Sequence, residues 1–266
     1  MTLKRVLGVL SVLTIIWLLV PTLVIIPMSF NEAQSFNFPP KGFSTRWYEN
    51  FFTNGVWLKS LGNSFLIAIL TAIIATTLGV LACLGLIRLK PRARGIFENL
   101  FLAPMIVPGI VLAIGLYSIY LRLQSSTGFL WLGTLQGFVF AHVILALPLV
   151  ITNVMASLQG VDDRLGQAAA SLGASRMTTF FTVTLPLIIP GVTAGALFAF
   201  VTSFDEIILS LFIQTPNMQT LPVQLFNSVR QSNDPTVAAV AVVMMVLSLL
   251  VLLAAQSATR KRKVKA

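Results

Sequence analysis

The chain is poor in almost everything that chemistry in water uses. Of its 266 residues, 8 are Asp or Glu, 1 is His and 1 is Cys, and charged residues of all kinds make up 10%, against about 25% in soluble domains. The lone cysteine, Cys83, excludes an intrachain disulfide and a cysteine metal cluster, and reads as a small buried apolar residue. The lone histidine, His142, excludes a histidine metal site, so no metal is expected; it reads as a hydrogen bond between helices. No Gly-rich loop followed by Lys and Ser or Thr occurs, so no phosphate-binding loop of the usual kind is present. The few acids are joined by no Ser/His pair, no Asp pair across two helices and no His/Glu metal spacing, so the chain is expected not to be an enzyme.

What fills the chain instead is apolar. Hydrophobic residues make up 56% of the sequence and the mean hydropathy is +0.91. Stretches long enough to cross a bilayer fall at about 6–28, 61–87, 100–121, 135–157, 185–212 and 236–256, each near or above the ~20 residues a crossing needs. The expectation is an all-α, polytopic membrane protein of six transmembrane helices forming one domain over 1–266. The first run follows Lys4 and Arg5 and is longer than the core of a signal peptide, so it reads as a retained helix.

Basic residues set the orientation, because Lys and Arg favour the cytoplasmic side. Lys4, Arg5, Arg88, Lys90, Arg92, Arg94, Arg164, Arg176, Arg260, Lys261, Arg262, Lys263 and Lys265 fall on one side. Lys41, Arg46, Lys59, Arg122 and Arg230 fall on the other, a split of 13 to 5 among the 18, so both termini are expected in the cytoplasm. Topology thus accounts for the net charge of +10 without nucleic acid. The tail Arg260-Lys261-Arg262-Lys263 is suited to anionic lipid headgroups.

The longest outward loop, 29–60, carries Phe30, Phe36, Phe38, Phe43, Trp47, Tyr48, Phe51, Phe52 and Trp57. Two readings stand: anchoring at the membrane interface, which suits aromatic rings, and a docking surface for an external partner. Pro104 and Pro108-Gly109 in the third span, and Pro186 and Pro190-Gly191 in the fifth, loosen helices in a way that neighbours or a water-lined path must satisfy. Gly191, Gly195 and Ala199 recur every four residues and allow close helix packing.

The loop between the fourth and fifth spans, 158–184, is too polar to cross and too periodic to be irregular. Leu165, Ala168, Ala169 and Leu172 fall at i, i+3, i+4 and i+7 and define a face of a short helix. Asp162 or Asp163 can cap its start, and Gly173 can end it in the left-handed conformation.

The pattern Gln167-Ala168-Ala169, then Gly173, Phe180-Phe181 and Leu185-Pro186 resembles the EAA loop of ABC-importer permeases that work with an external binding protein. Asn63-Ser64-Phe65 through Gly79 and Arg88, and Ala103-Pro104 through Pro108-Gly109-Ile110, are similar to the same family, so the likeness covers about residues 60 to 256. The resemblance implies a coupling helix seated in a cleft of a cytoplasmic ATPase, with Asp163, Gln167, Ala168, Ala169, Leu172 and Gly173 as its contact residues. The sequence departs from the family pattern at Gln167, where Glu is usual. The resemblance further implies ATP and Mg bound by the partner and none in this chain, a second related permease subunit in a heterodimer, a substrate-binding protein outside, and a place in the bacterial inner membrane.

The fifth span holds Thr202-Ser203-Phe204-Asp205-Glu206-Ile207, and an acid in an apolar span costs about 2.5–3.5 kcal/mol at the bilayer centre. One reading is a negatively lined path for a cation, with Phe204 open to cation–π contact. The other is an acid paired with Arg122 or Arg230, or met by interfacial water. The Ser203-Phe204-Asp205-Glu206 run resembles the spermidine/putrescine branch of these permeases, which implies a polyamine substrate; branches for aminophosphonates or opine-like compounds have similar runs. A proton-coupled secondary transporter could use Asp205 or Glu206 as its proton site, but would leave the segment 162–174 without a purpose.

Overall fold

A computed structural model describes residues 3–34, 38–231 and 234–263, without the side chains of Leu3, Asp163 and 255–263. Phe36 and the side chains of the basic tail Arg260-Lys261-Arg262-Lys263 therefore lie outside the described residues, as does Lys265. The described residues are helical with no strand, and two isolated bridges join Asn31 to Phe43 and Thr215 to Met218. Five helices are long and apolar enough to cross a membrane: Lys4–Ser29, Gly55–Leu86, Leu135–Leu158, Arg176–Phe204 and Thr236–Ala254.

The expected third span, 100–121, is not one helix. It divides into α4 (Pro91–Ile106) and α5 (Gly109–Thr127), bent by 99°. Pro108 is the cause: the residue before a proline is pushed out of the helical region, and Val107 is extended at ψ 129°. Counted as one bent crossing, this pair brings the candidates to six.

The expected fifth span, 185–212, also differs. Helical structure begins earlier, with α8 (Arg176–Thr179) and a π-helical turn at Phe180–Thr184, and α9 (Leu185–Phe204) then stops before the acidic pair. Pro186 has no N–H to give the carbonyl of Thr182, and the turn just before it widens. A three-residue break, Asp205 to Ile207, precedes the short α10 (Ile208–Ile213).

The chain forms two compact units. The first comprises Met1–Lys59 and Gln224–Leu249. Within it, α1 (Leu3–Ser29) is exposed along most of its length, and α2 (Arg46–Thr53) was not foreseen from the sequence. The aromatic loop is neither a uniform anchor nor a uniform docking face. Trp47, Phe51 and Trp57 are buried, the Trp47 indole N–H donates to the Asn31 carbonyl at 2.7 Å, and Phe30 packs on Tyr48. Phe38, Phe43 and Phe52 remain exposed.

The second unit comprises Ser60–Val223 and Leu250–Ala266. Its centre is α6 (Leu135–Leu158), the most deeply buried of the long helices. The glycine face of α9 packs on it: a Cβ at Gly195 would stand 3.1 Å from Val150 Cα, and one at Gly191 would collide with Ser157 and the Asn153 carbonyl. Ala199 on the same face is fully buried. The helix α3 (Gly55–Leu86) contributes Cys83, whose thiol donates to the Ile151 carbonyl of α6 at 3.6 Å. Tyr120 on α5 donates to the Gly137 carbonyl at 2.7 Å. These polar contacts answer groups that no water reaches in an apolar core.

Candidate functional site

Two regions of the second unit carry the expected site residues, and they lie at opposite ends of α9. Together with α8 and the π-helical turn it makes a continuous helical stretch of 29 residues, Arg176–Phe204, between them.

At one end is α7 (Asp163–Ser171). Of the two candidate caps, Asp162 is the N-cap: its Oδ1 accepts from the Arg164 amide at 2.9 Å, which meets one of the donors a helix start leaves open. The side chain of Asp163 lies outside the described residues. Gly173 has φ +84°, the left-handed conformation that ends a helix, with the Ala174 amide returning to the Ala169 carbonyl at 3.0 Å. Gln167 and Ala168 are exposed and Ala169 is partly buried. Leu172 is 89% exposed, and Leu165, Met177 and Phe181 are also exposed. A short capped helix thus leaves apolar side chains uncovered at this end.

At the other end is the break between α9 and α10. Asp205 is exposed, and no hydrogen bond or ion pair joins its carboxylate to another described residue. Glu206 is engaged: its Oε1 accepts from the Leu209 amide at 2.9 Å, capping α10. The ion pair among the described residues joins Arg94 to Glu98 at 2.7 Å, so the acidic pair is not neutralised by Arg122. Phe204 is 1% exposed, stacked on Phe200 with centroids 5.8 Å apart and tilted against Phe65 at 5.0 Å. Its ring therefore supports the break from inside instead of facing an open path.

Neighbours whose place beside the break the sequence did not show complete this region. His142 on α6 places Nδ1 2.8 Å from Ser203 Oγ and Nε2 3.0 Å from Ser210 Oγ, which extends the expected interhelical hydrogen bond to two. Asn63 donates to the Gln219 carbonyl at 2.9 Å, and Ser64 accepts from the Leu221 amide at 2.8 Å. The Asn63-Ser64-Phe65 motif thus fastens the chain after α10, while Phe65 packs on Phe204. Ile208 lies over Gly109, so the two breaks in the helical structure adjoin. Irregular backbone of this kind is tolerated in a membrane protein where it is enclosed by protein or lines a cavity.

The described residues thus form a polytopic helical protein with one sharply bent span and an exposed capped helix in a loop. Residues 75–264 match the family of binding-protein-dependent transport system inner membrane components. The chain is 32% identical to the spermidine/putrescine transport system permease protein PotC of Escherichia coli (strain K12), over 92% of this chain and 90% of that one. It is 30% identical to the putrescine transport system permease protein PotI of the same strain, over 85% and 80%. Its fold matches a bacterial alginate ABC transporter solved with an alginate pentasaccharide-bound periplasmic protein, at TM-score 0.76 and 15% identity, covering 97% of this chain and 96% of that one.

The chain belongs to the family of binding-protein-dependent transport system inner membrane components. It is a multi-pass inner-membrane protein and a permease subunit of an ABC importer.

Proposed function

We propose that this permease carries a small cation of the polyamine class, such as spermidine or putrescine, and that Asp205 meets it on the path. The observation that carries the reading is the division of labour at the α9–α10 break. Glu206 caps α10, while Asp205 keeps a free carboxylate at an exposed position just past the end of α9. A substrate amine would supply the counter-charge that this carboxylate lacks. The names of the relatives at 32% and 30% identity point to the same substrate class. Phe204 acts in this reading as the support that sets the turn.

The same reading takes 1–266 as one permease domain with six crossings, the bent α4–α5 pair being one of them, and both termini cytoplasmic by the 13 to 5 split of basic residues. The loop 158–184 then faces the cytoplasm, where Asp163, Gln167, Ala168, Ala169, Leu172 and Gly173 seat the coupling helix in a separate ATPase. That subunit binds ATP and Mg. A related second permease completes the pore, and an external binding protein delivers the substrate. ATPase closure pushes α7, and α9 transmits the movement to the break that holds Asp205.

The test is uptake of spermidine by the reconstituted complex with Asp205→Asn. Loss of a charge-assisted contact of about 1.5–3 kcal/mol raises KM by roughly tenfold or more. An unchanged KM would remove Asp205 from the path.

A further inference from the structure

His142 is fully buried, and both of its ring nitrogens are engaged, one by Ser203 in the last turn of α9 and one by Ser210 in α10. A neutral imidazole offers one N–H and one lone pair, and a hydroxyl can take either role, so both bonds hold in either tautomer. The three residues between these helices, Asp205, Glu206 and Ile207, are outside helical structure.

Ser203 does not need the histidine for its own satisfaction: a serine within a helix can bond to the carbonyl four residues before it, here Ala199 of the same helix. Meeting Ser210 on one imidazole instead ties the two segments to each other and to α6. A ring of fixed width sets their separation, which a backbone-bonded Ser203 would leave free.

We propose that His142 is a positioning residue for cation passage: it holds Ser203 and Ser210 at a fixed separation and so fixes the turn that carries Asp205. The role in passage rests on Asp205 meeting the substrate. The holding of the turn does not, and the two are measured separately.

Two readouts test it in the reconstituted complex with its ATPase and partner permease. The first is the rate at which a membrane-impermeant charged maleimide labels Asp205→Cys, with and without His142→Ala. Cys83 is buried and contributes little background. Loss of two hydrogen bonds releases the turn and changes the labelling rate about fivefold or more. Ser203→Ala with Ser210→Ala reproduces the change, and His142→Ala adds nothing to that pair.

The second readout is the KM for spermidine uptake against turnover. His142→Ala raises KM about fivefold with a smaller effect on turnover, and gives no further rise in an Asp205→Asn background. His142→Asn and His142→Gln each keep one of the two bonds and fall between. If His142→Ala does not assemble, the single serine variants carry the same labelling test.

An assembled His142→Ala complex with unchanged labelling overturns the proposal. So does a KM rise that adds to that of Asp205→Asn. Should Asp205→Asn alone leave KM unchanged, the path assigned to Asp205 fails and passage with it, while the labelling rate still decides whether His142 holds the turn.

Discussion

Gly195 rests directly on Val150: a Cβ on the glycine would stand 3.1 Å from Val150 Cα and 3.3 Å from its Cγ1. Here α9 meets the backbone of α6, and the backbone of Val150 has no room to move within a helix. Gly195→Leu is therefore expected to destabilise the protein by about 1–3 kcal/mol through overpacking. Thermal unfolding in nanodiscs measures it. Gly8→Ala, inside α1 where no atom lies within 4 Å of the added methyl, should not lower the transition.

Gly173 can be tested apart from the pore. Its φ of +84° strains any side chain, by about 1–2 kcal/mol, but nothing lies within 4 Å to be displaced. Gly173→Trp should leave the membrane helices folded and disrupt the surface that meets the ATPase. The expected result is normal unfolding behaviour with ATPase stimulation reduced by roughly an order of magnitude, given how strongly a bulky group disrupts a packed contact.

Asp162→Ala removes the N-cap of α7. The loss is about 0.5–2 kcal/mol of helix stability, felt within a nine-residue helix. Faster hydrogen exchange over 163–171, together with weaker co-purification of the ATPase, is the expected outcome.

Glu206 and Asp205 should separate in their effects. Glu206→Ala removes the cap on the Leu209 amide and should lower stability by about 1 kcal/mol. Its effect on the KM for spermidine should be smaller than that of Asp205→Asn, since its carboxylate is already engaged. Concentration-dependent uptake by both variants makes the comparison.

Much of this architecture was legible in the residues. The apolar runs placed the long helices, and the 165–172 periodicity with Gly173 placed α7 and its end. The every-fourth-residue run Gly191, Gly195, Ala199 marked the face that packs on α6. The breaks were less legible. Pro108 marks one, but hydropathy runs through it and gave a continuous 100–121. The stop at Phe204 has no proline or glycine to announce it, since the acids themselves end α9 and Glu206 restarts the helix as a cap. Phe204 reads as an open ring beside an acid until its packing against Phe200 and Phe65 is known. Ser203 and Ser210 are seven residues apart with a break between them, and only the position of His142 shows that they belong together.

The most direct test of the whole account is ATP-driven spermidine uptake into proteoliposomes holding this permease with its ATPase, second permease and external binding protein. The account predicts ATP hydrolysis stimulated by the spermidine-loaded binding protein, little stimulation by an uncharged control, and loss of stimulation with Gly173→Trp. Uptake that ignores ATP and follows a proton gradient would contradict it.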